Sequence, residues 1–173
     1  MTVTQLTWDE RIDAVWDASD ARPEEETIAL VRALIAERPA GDAAALYEHA
    51  SAYDFVGDEA AAEPLYREAL AAGLDDHRRP RAVIQLASTL RNLGRADQAV
   101  DLLQADIAAA HSNDRGVQTE DGLGDARVSF LCLALIDLGR SDEAAAMSLV
   151  ALARHLPEYS RAVSRYIEAL SAQ

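Results

Sequence analysis

Apolar residues in this chain recur three to four positions apart, and glycine interrupts the runs at three places. Eleven positions before each of these glycines stands an apolar residue, seven before it a small one, four before it a large apolar one, and thirteen after it an aliphatic one. This spacing on both sides of a glycine predicts two amphipathic helices joined by a tight turn. The glycines are Gly57, Gly94 and Gly139, and the four sets are Leu46, Val83 and Val128; Ala50, Ala87 and Cys132; Tyr53, Leu90 and Leu135; Leu70, Ile107 and Leu152.

The pattern predicts three helix pairs between a less regular leading pair and a closing helix. Thr7 and Glu10 form a capping-box sequence, Pro23 precedes three glutamates, and Asp42 is a further cap. Pro64 falls inside the fourth predicted helix and can be tolerated there if that helix begins one or two residues later, with the proline in the first turn. The segment from His111 to Gly124 is predicted as a long loop. The predicted helices are 43–56 with 59–73, 79–93 with 96–111, 124–138 with 141–154, and about 158–171.

The residues around the three glycines resemble the tetratricopeptide repeat family. The best copy spans 43–75, whereas Asp106 and Ser148 replace a small and a large residue in the later copies. The segment 85–94 is similar to that of small tetratricopeptide proteins of high-GC bacteria. The matching residues of the best copy are Ala50, Tyr53, Gly57, Ala62, Tyr66 and Ala69.

This resemblance implies one all-α domain over 1–173: a right-handed α-solenoid of antiparallel helix pairs, with about nine helices. It would comprise a degenerate pair at 7–38, repeats at about 43–75, 80–111 and 124–154, and a capping helix at about 158–171. The function it implies is binding of a protein or peptide.

Composition limits the partners. The 173 residues are 50% hydrophobic and 27% charged, and the formal net charge is −14. That charge argues against nucleic acid or an anionic membrane as the main partner, so a basic or neutral protein is expected. The single cysteine excludes an internal disulfide, and no leader or long apolar run is visible, so a cytoplasmic location is expected.

No residue pattern points to catalysis. The four histidines are far apart and lack metal-ligand spacing, and no nucleophile motif or glycine-rich phosphate loop is present. His49 and Cys132 occupy positions that predict packing. The acidic residues are distributed like solvated helix faces. We therefore expect no enzyme, no cofactor and no metal.

The expected ligand surface is the groove that first helices line in the tetratricopeptide family. A polar row on one helix (Gln85, Ser88, Arg91 and Asn92) is the main candidate, because forked and paired donors suit a peptide carboxylate or backbone amide. The alternative is that this row is only the solvent-exposed face of an amphipathic helix. The candidate residues are Tyr47, Ser51, Asp54, Arg81, Gln85, Ser88, Arg91, Asn92, Ser129 and Phe130, with Phe55, Ile84, Leu133 and Asp137 beside them.

Other interpretations remain open. Trp8 and Trp16 are interpreted as core, with a homodimer face as the alternative. The basic cluster 77–81 is interpreted as a solvated segment, with an acidic peptide or the acidic surface of a second copy as alternatives. A small-molecule site in the groove has few apolar residues to line it. A clamp for chaperone C-termini is not supported, since Tyr47 and Ser51 stand where that clamp needs other side chains.

Overall fold

The computed structural model describes residues 6–112 and 122–171, with side-chain surroundings for 6–110 and 122–168. Over those ranges the chain forms α-helices and one short 3₁₀ turn (Ser19–Ala21), and no strand, which confirms the all-helical prediction. The helices that the described residues form are α1 (Trp8–Asp17), α2 (Glu24–Ile35), α3 (Ala43–Phe55), α4 (Glu59–Ala72), α5 (Arg78–Asn92), α6 (Ala96–Ser112), α7 (Gly124–Asp137), α8 (Ser141–Ala153) and α9 (Ser160–Ser171).

The helices of the three repeats, α3 to α8, begin and end within one residue of their predicted bounds. The reason is visible at the turns, where the three repeat glycines have φ of 74°, 74° and 75°. Glycine adopts this left-handed conformation without a Cβ penalty. At each turn the amide after the glycine donates to the carbonyl five residues earlier, at 2.9, 2.9 and 2.8 Å, which ends the first helix of each pair in the same way.

The caps read from the sequence are also present. The Thr7 hydroxyl accepts from the Glu10 amide while the Glu10 carboxylate accepts from the Thr7 amide, and the Asp42 carboxylate accepts from the Ala45 amide. The later start that Pro64 suggested for its helix is not observed. Helix α4 begins at Glu59, so Pro64 lies in its second turn, on the exposed side. The loop predicted from His111 to Gly124 lies mostly outside the described residues.

The chain divides into two compact units, residues 1–82 and 83–173. In unit 1, α1 packs on α2, α2 on α3, and α3 on α4. Its core contains Ile12, Val31 and Leu34, with Trp8 and Trp16 packed against them. The interpretation of the two tryptophans as core residues is therefore confirmed.

In unit 2, α6 packs on α7, α7 on α8, and α8 on α9. Leu103, Leu131 and Leu135 are fully buried there. The Arg127 guanidinium donates to the Asp106 carboxylate at 2.7 Å, with both side chains 4% exposed. This buried ion pair explains how Asp106 replaces a small repeat residue, and it corrects the expectation that the acidic residues are all solvated. The helices thus pack sequentially in pairs within each unit, whereas the right-handed superhelix and the single domain stay predictions.

Candidate functional site

The expected ligand residues of α3 are held inside unit 1. Tyr47 and Ser51 are each only 8% exposed. The Tyr66 hydroxyl donates to the Asp54 carboxylate at 3.2 Å and lies 3.5 Å from the Ser51 hydroxyl, and the Tyr47 and Tyr66 rings are 6.2 Å apart. In this arrangement Tyr47 and Ser51 pack and Asp54 accepts an internal hydrogen bond, where exposed ligand contacts were expected.

Burial also raises the pKa of the two tyrosines, Tyr47 and Tyr66. It raises the pKa of Tyr47 to about 12. Burial and then the nearby Asp54 charge raise the pKa of Tyr66 as well. Both rings therefore keep their protons to a higher pH than an exposed tyrosine does, including the proton that Tyr66 donates to Asp54.

The basic cluster 77–81 spans the start of α5, and its second residue, Arg78, is internal. Arg78 is 7% exposed, so the interpretation of the cluster as a solvated segment is wrong for that residue. Its guanidinium donates to Glu48 at 3.1 Å, to Asp75 at 3.0 Å and to Asp9 at 2.7 Å. Burial opposes the charge, but these hydrogen bonds outweigh it and raise the pKa of Arg78. Arg81, half-buried, donates to the His77 carbonyl.

Glu48 is the acidic centre of this network. It is 3% exposed, and burial raises the pKa of its carboxyl despite the donors that face it. Trp16 donates its indole N–H to Glu48 at 2.8 Å, and Trp8 donates its own to the Leu34 carbonyl at 2.9 Å. The network therefore joins α1, α3 and the start of α5 within unit 1, and both indole N–H groups have partners in the same chain.

The polar row of α5, which we call the α5 row (Gln85, Ser88, Arg91 and Asn92), lies in unit 2. Gln85 and Ser88 are half-buried, and the side-chain Oε1 of Gln85 is a buried acceptor with no donor among the described residues. Arg91 donates from Nε to the Asp137 carboxylate at 2.5 Å, which brings the last turns of α5 and α7 together. The two side chains of this pair are 26% and 41% exposed.

Helix α7 presents an apolar stripe, here called the α7 stripe (Phe130, Leu133 and Ile136). Phe130 is half-buried, Leu133 is 40% exposed and Ile136 is 50% exposed. The neighbouring candidate Ser129 bonds the Asp125 carbonyl of its own helix.

Ile136 was missed by the sequence analysis. Comparison at equal distance from the turn glycine would have found it, because the equivalent residues are Asp54 and Arg91. The same comparison sets Leu133 against Ser51 and Ser88.

The candidates for chemistry occupy packing positions. Cys132 is buried and its sulfur accepts from the Ser148 hydroxyl at 3.3 Å, while His49 stacks on Tyr53 with ring centroids 5.0 Å apart. In the parts of the chain that the structure describes, no three His, Cys, Asp or Glu side chains are grouped to hold a metal ion. Nor does any described helix have the length and hydropathy needed to cross a membrane.

Paired helices, a shared glycine turn and small buried residues at the helix contacts define a helical-repeat protein. The family model for the tetratrico peptide repeat matches residues 43–170, so the chain belongs to the tetratricopeptide repeat family. Domains of this family are generally protein-interaction modules and are typically not catalytic. No curated protein and no solved structure gives a significant match.

Proposed function

We propose that this protein binds a protein or peptide partner through the surface formed by the α5 row and the α7 stripe. The observation that carries the proposal is the exposure of Leu133 and Ile136, at 40% and 50%, where the equivalent positions of α3 and α5 are polar. Exposed apolar side chains next to polar groups are typical of interaction surfaces.

The polar side of this surface indicates the chemistry of the partner. The side-chain Oε1 of Gln85 is a buried acceptor that no donor among the described residues contacts, and a peptide N–H would satisfy it once the half-buried side chain turns outward. Arg91 offers a forked donor, and Asp137 accepts from its Nε. Because a partly exposed ion pair contributes only about 0–1 kcal/mol, a carboxylate of the partner can replace Asp137 at small cost. The proposed partner therefore combines an acidic group with an apolar side chain.

Asn92 and Phe130 complete the proposed contact set, since one is exposed at the end of the α5 row and the other begins the α7 stripe. Tyr47, Ser51, Asp54 and Arg81 are left out of it because internal contacts occupy them. Kinship with the small tetratricopeptide proteins of high-GC bacteria remains part of this proposal.

A capture experiment from native cell extract, read by mass spectrometry, tests the proposal with two opposite variants. Arg91→Ala with Asn92→Ala should lose the partner, because the forked donor is gone. Asp137→Asn should keep or strengthen capture, because it releases Arg91 from its internal carboxylate. Circular dichroism and thermal melting of both variants serve as the control for folding.

A purely structural role for the Arg91 and Asp137 pair makes a different prediction. Both variants would then lower the melting temperature similarly and leave the captured proteins the same as with wild type. That result would overturn the proposed function.

A further inference from the structure

A second exposed apolar surface lies on α8, away from the proposed contact set. A groove of about 900 Å³ runs along this helix, and Ile107 of α6, Val128 of α7 and Ile167 of α9 contribute to its lining. Along α8 and at its C-cap the groove is lined by Glu143, Met147, Val150 and Arg154, among others. We call these four residues the α8 seam.

At two exposed positions of this helix, only the third helix pair has large apolar residues. Leu149 and Val150, which are 41% and 40% exposed, stand where α4 has Arg67 and Glu68. In α6 the equivalent residues are Gln104 and Ala105, both exposed. A helix that is apolar on nearly all sides is normally covered on nearly all sides, so α8 has the composition of a helix that needs a further neighbour.

The order of residues in the α8 seam indicates what that neighbour is. An acid stands at one end and a base at the other, with two apolar residues between them at spacings of four, three and four. The spacing is the same when it is reversed, and reversal places the base where the acid stood. If a second α8 packs antiparallel, Glu143 faces the Arg154 of the partner copy, and Met147 faces Val150, at both ends of the contact.

We propose that the α8 seam is a homodimer contact, in which α8 of two copies of this chain pack antiparallel about a two-fold axis. Isologous packing of this kind needs a self-complementary patch. The seam meets that condition, because its residue spacing is symmetric and its acidic end lies opposite a basic end. The proposal goes beyond peptide binding by the α5 row and α7 stripe and does not depend on it.

The charges at the ends of the seam are available for exchange. Glu143 bonds Arg140 at 2.7 Å and Arg154 lies 3.9 Å from Asp125, with all four side chains more than 40% exposed. Exposed pairs of this kind contribute about 0–1 kcal/mol and exchange partners readily. At physiological salt, charges more than about 8 Å apart are largely screened, so close contacts across the seam outweigh the repulsion between two acidic chains.

The test uses purified protein and sedimentation equilibrium at physiological salt, over a wide range of concentrations. Three helical turns form a small interface, so we expect a reversible dimer with a dissociation constant in the micromolar range. Arg154→Glu alone makes both ends of the seam acidic, and Glu143→Lys alone makes both ends basic. Each should weaken self-association about tenfold or more, through like charges placed opposite each other.

The most decisive measurement mixes the Arg154→Glu and Glu143→Lys variants. Each acidic end then faces a basic end in the heterodimer. The mixture should regain the dimer mass that neither variant shows alone. Val150→Arg should also abolish the dimer, whereas the matched control Leu30→Arg, at 38% exposure against 40% for Val150, should not. Circular dichroism of each variant confirms its helix content.

Three outcomes would overturn the proposal: a wild-type monomer at every concentration, charge variants that associate as wild type does, or a mixture that stays monomeric. The capture experiment with Arg91 and Asp137 variants is read separately, so either proposal can fail alone.

Discussion

The first and third repeats, the helix pairs α3–α4 and α7–α8, share one sequence pattern but differ in which positions are polar. In the α3–α4 pair, Tyr66 is fully buried and its hydroxyl contacts Ser51 and Asp54. In the α7–α8 pair, Ser148 stands at the position of Tyr66, and Leu133 and Ile136 stand at those of Ser51 and Asp54. The tyrosine and its polar partners have thus been replaced together, which leaves an apolar face open to a partner.

The difference shows why residues at the same distance from the turn glycine make internal contacts in one pair and are solvent-exposed in another. Polar residues on the face of α3 make hydrogen bonds inside unit 1, so their donors and acceptors already have partners. On α7, Leu133 and Ile136 are 40% and 50% exposed at these positions. On α8 of the same pair, Leu149 and Val150 stand where α4 has Arg67 and Glu68. The third pair therefore carries the α8 seam and the apolar part of the proposed partner surface, whereas the α5 row belongs to the second pair.

The largest effect should come from breaking the first pair at its tyrosine. Tyr66→Ala removes a fully buried aromatic ring and should lower the free energy of unfolding by about 3–5 kcal/mol. Ser148→Ala, at the same register position of the third pair, should cost less than about 1 kcal/mol because it removes one weak hydrogen bond to sulfur. Urea unfolding measures both. Equal losses would show that the two pairs do not differ in the way described.

A smaller effect is expected in the pH dependence of the free energy of unfolding, through the buried tyrosines of the α3–α4 pair. Unfolded tyrosine loses its proton near pH 10, whereas folded Tyr47 keeps it to about 12, and the pKa of Tyr66 is raised as well. The folded state therefore holds more protons over this range, and stability falls as the pH rises from 10 to about 12. Urea unfolding across this window should show a shallower decline for Tyr47→Phe with Tyr66→Phe. Tyr159→Phe, at a residue 77% exposed, is the control and should match wild type.

Much of the fold could be predicted because the repeat signals are local. A glycine that ends one helix and small or large apolar residues at fixed distances determine where α3 to α8 begin and end, and those bounds agree within one residue. The exception is Pro64, where the local preference of proline for a first turn gave way to the packing of α4 through Ala62, Tyr66 and Ala69, all fully buried.

The candidate site was less predictable because accessibility depends on partners far away in sequence. Arg78 looked like part of a solvated cluster, yet Asp9 and Glu48 surround it in the fold. Asp106 and Arg127 did leave a sequence signal, since both replace small residues at core positions of the repeat. A polar residue at a core position requires a partner, and two such residues in adjacent helices indicate a pair.

The central claim is that the open apolar face of α7 captures a partner. The most direct measurement compares capture by wild type with capture by Leu133→Ser and Ile136→Asp together, which gives α7 the polar residues of α3. Leu30→Arg is the control on another exposed apolar residue. Our account predicts that the double variant keeps its helix content and melting temperature but loses the partner that wild type and control retain. A double variant that folds and still captures the same partner would contradict it.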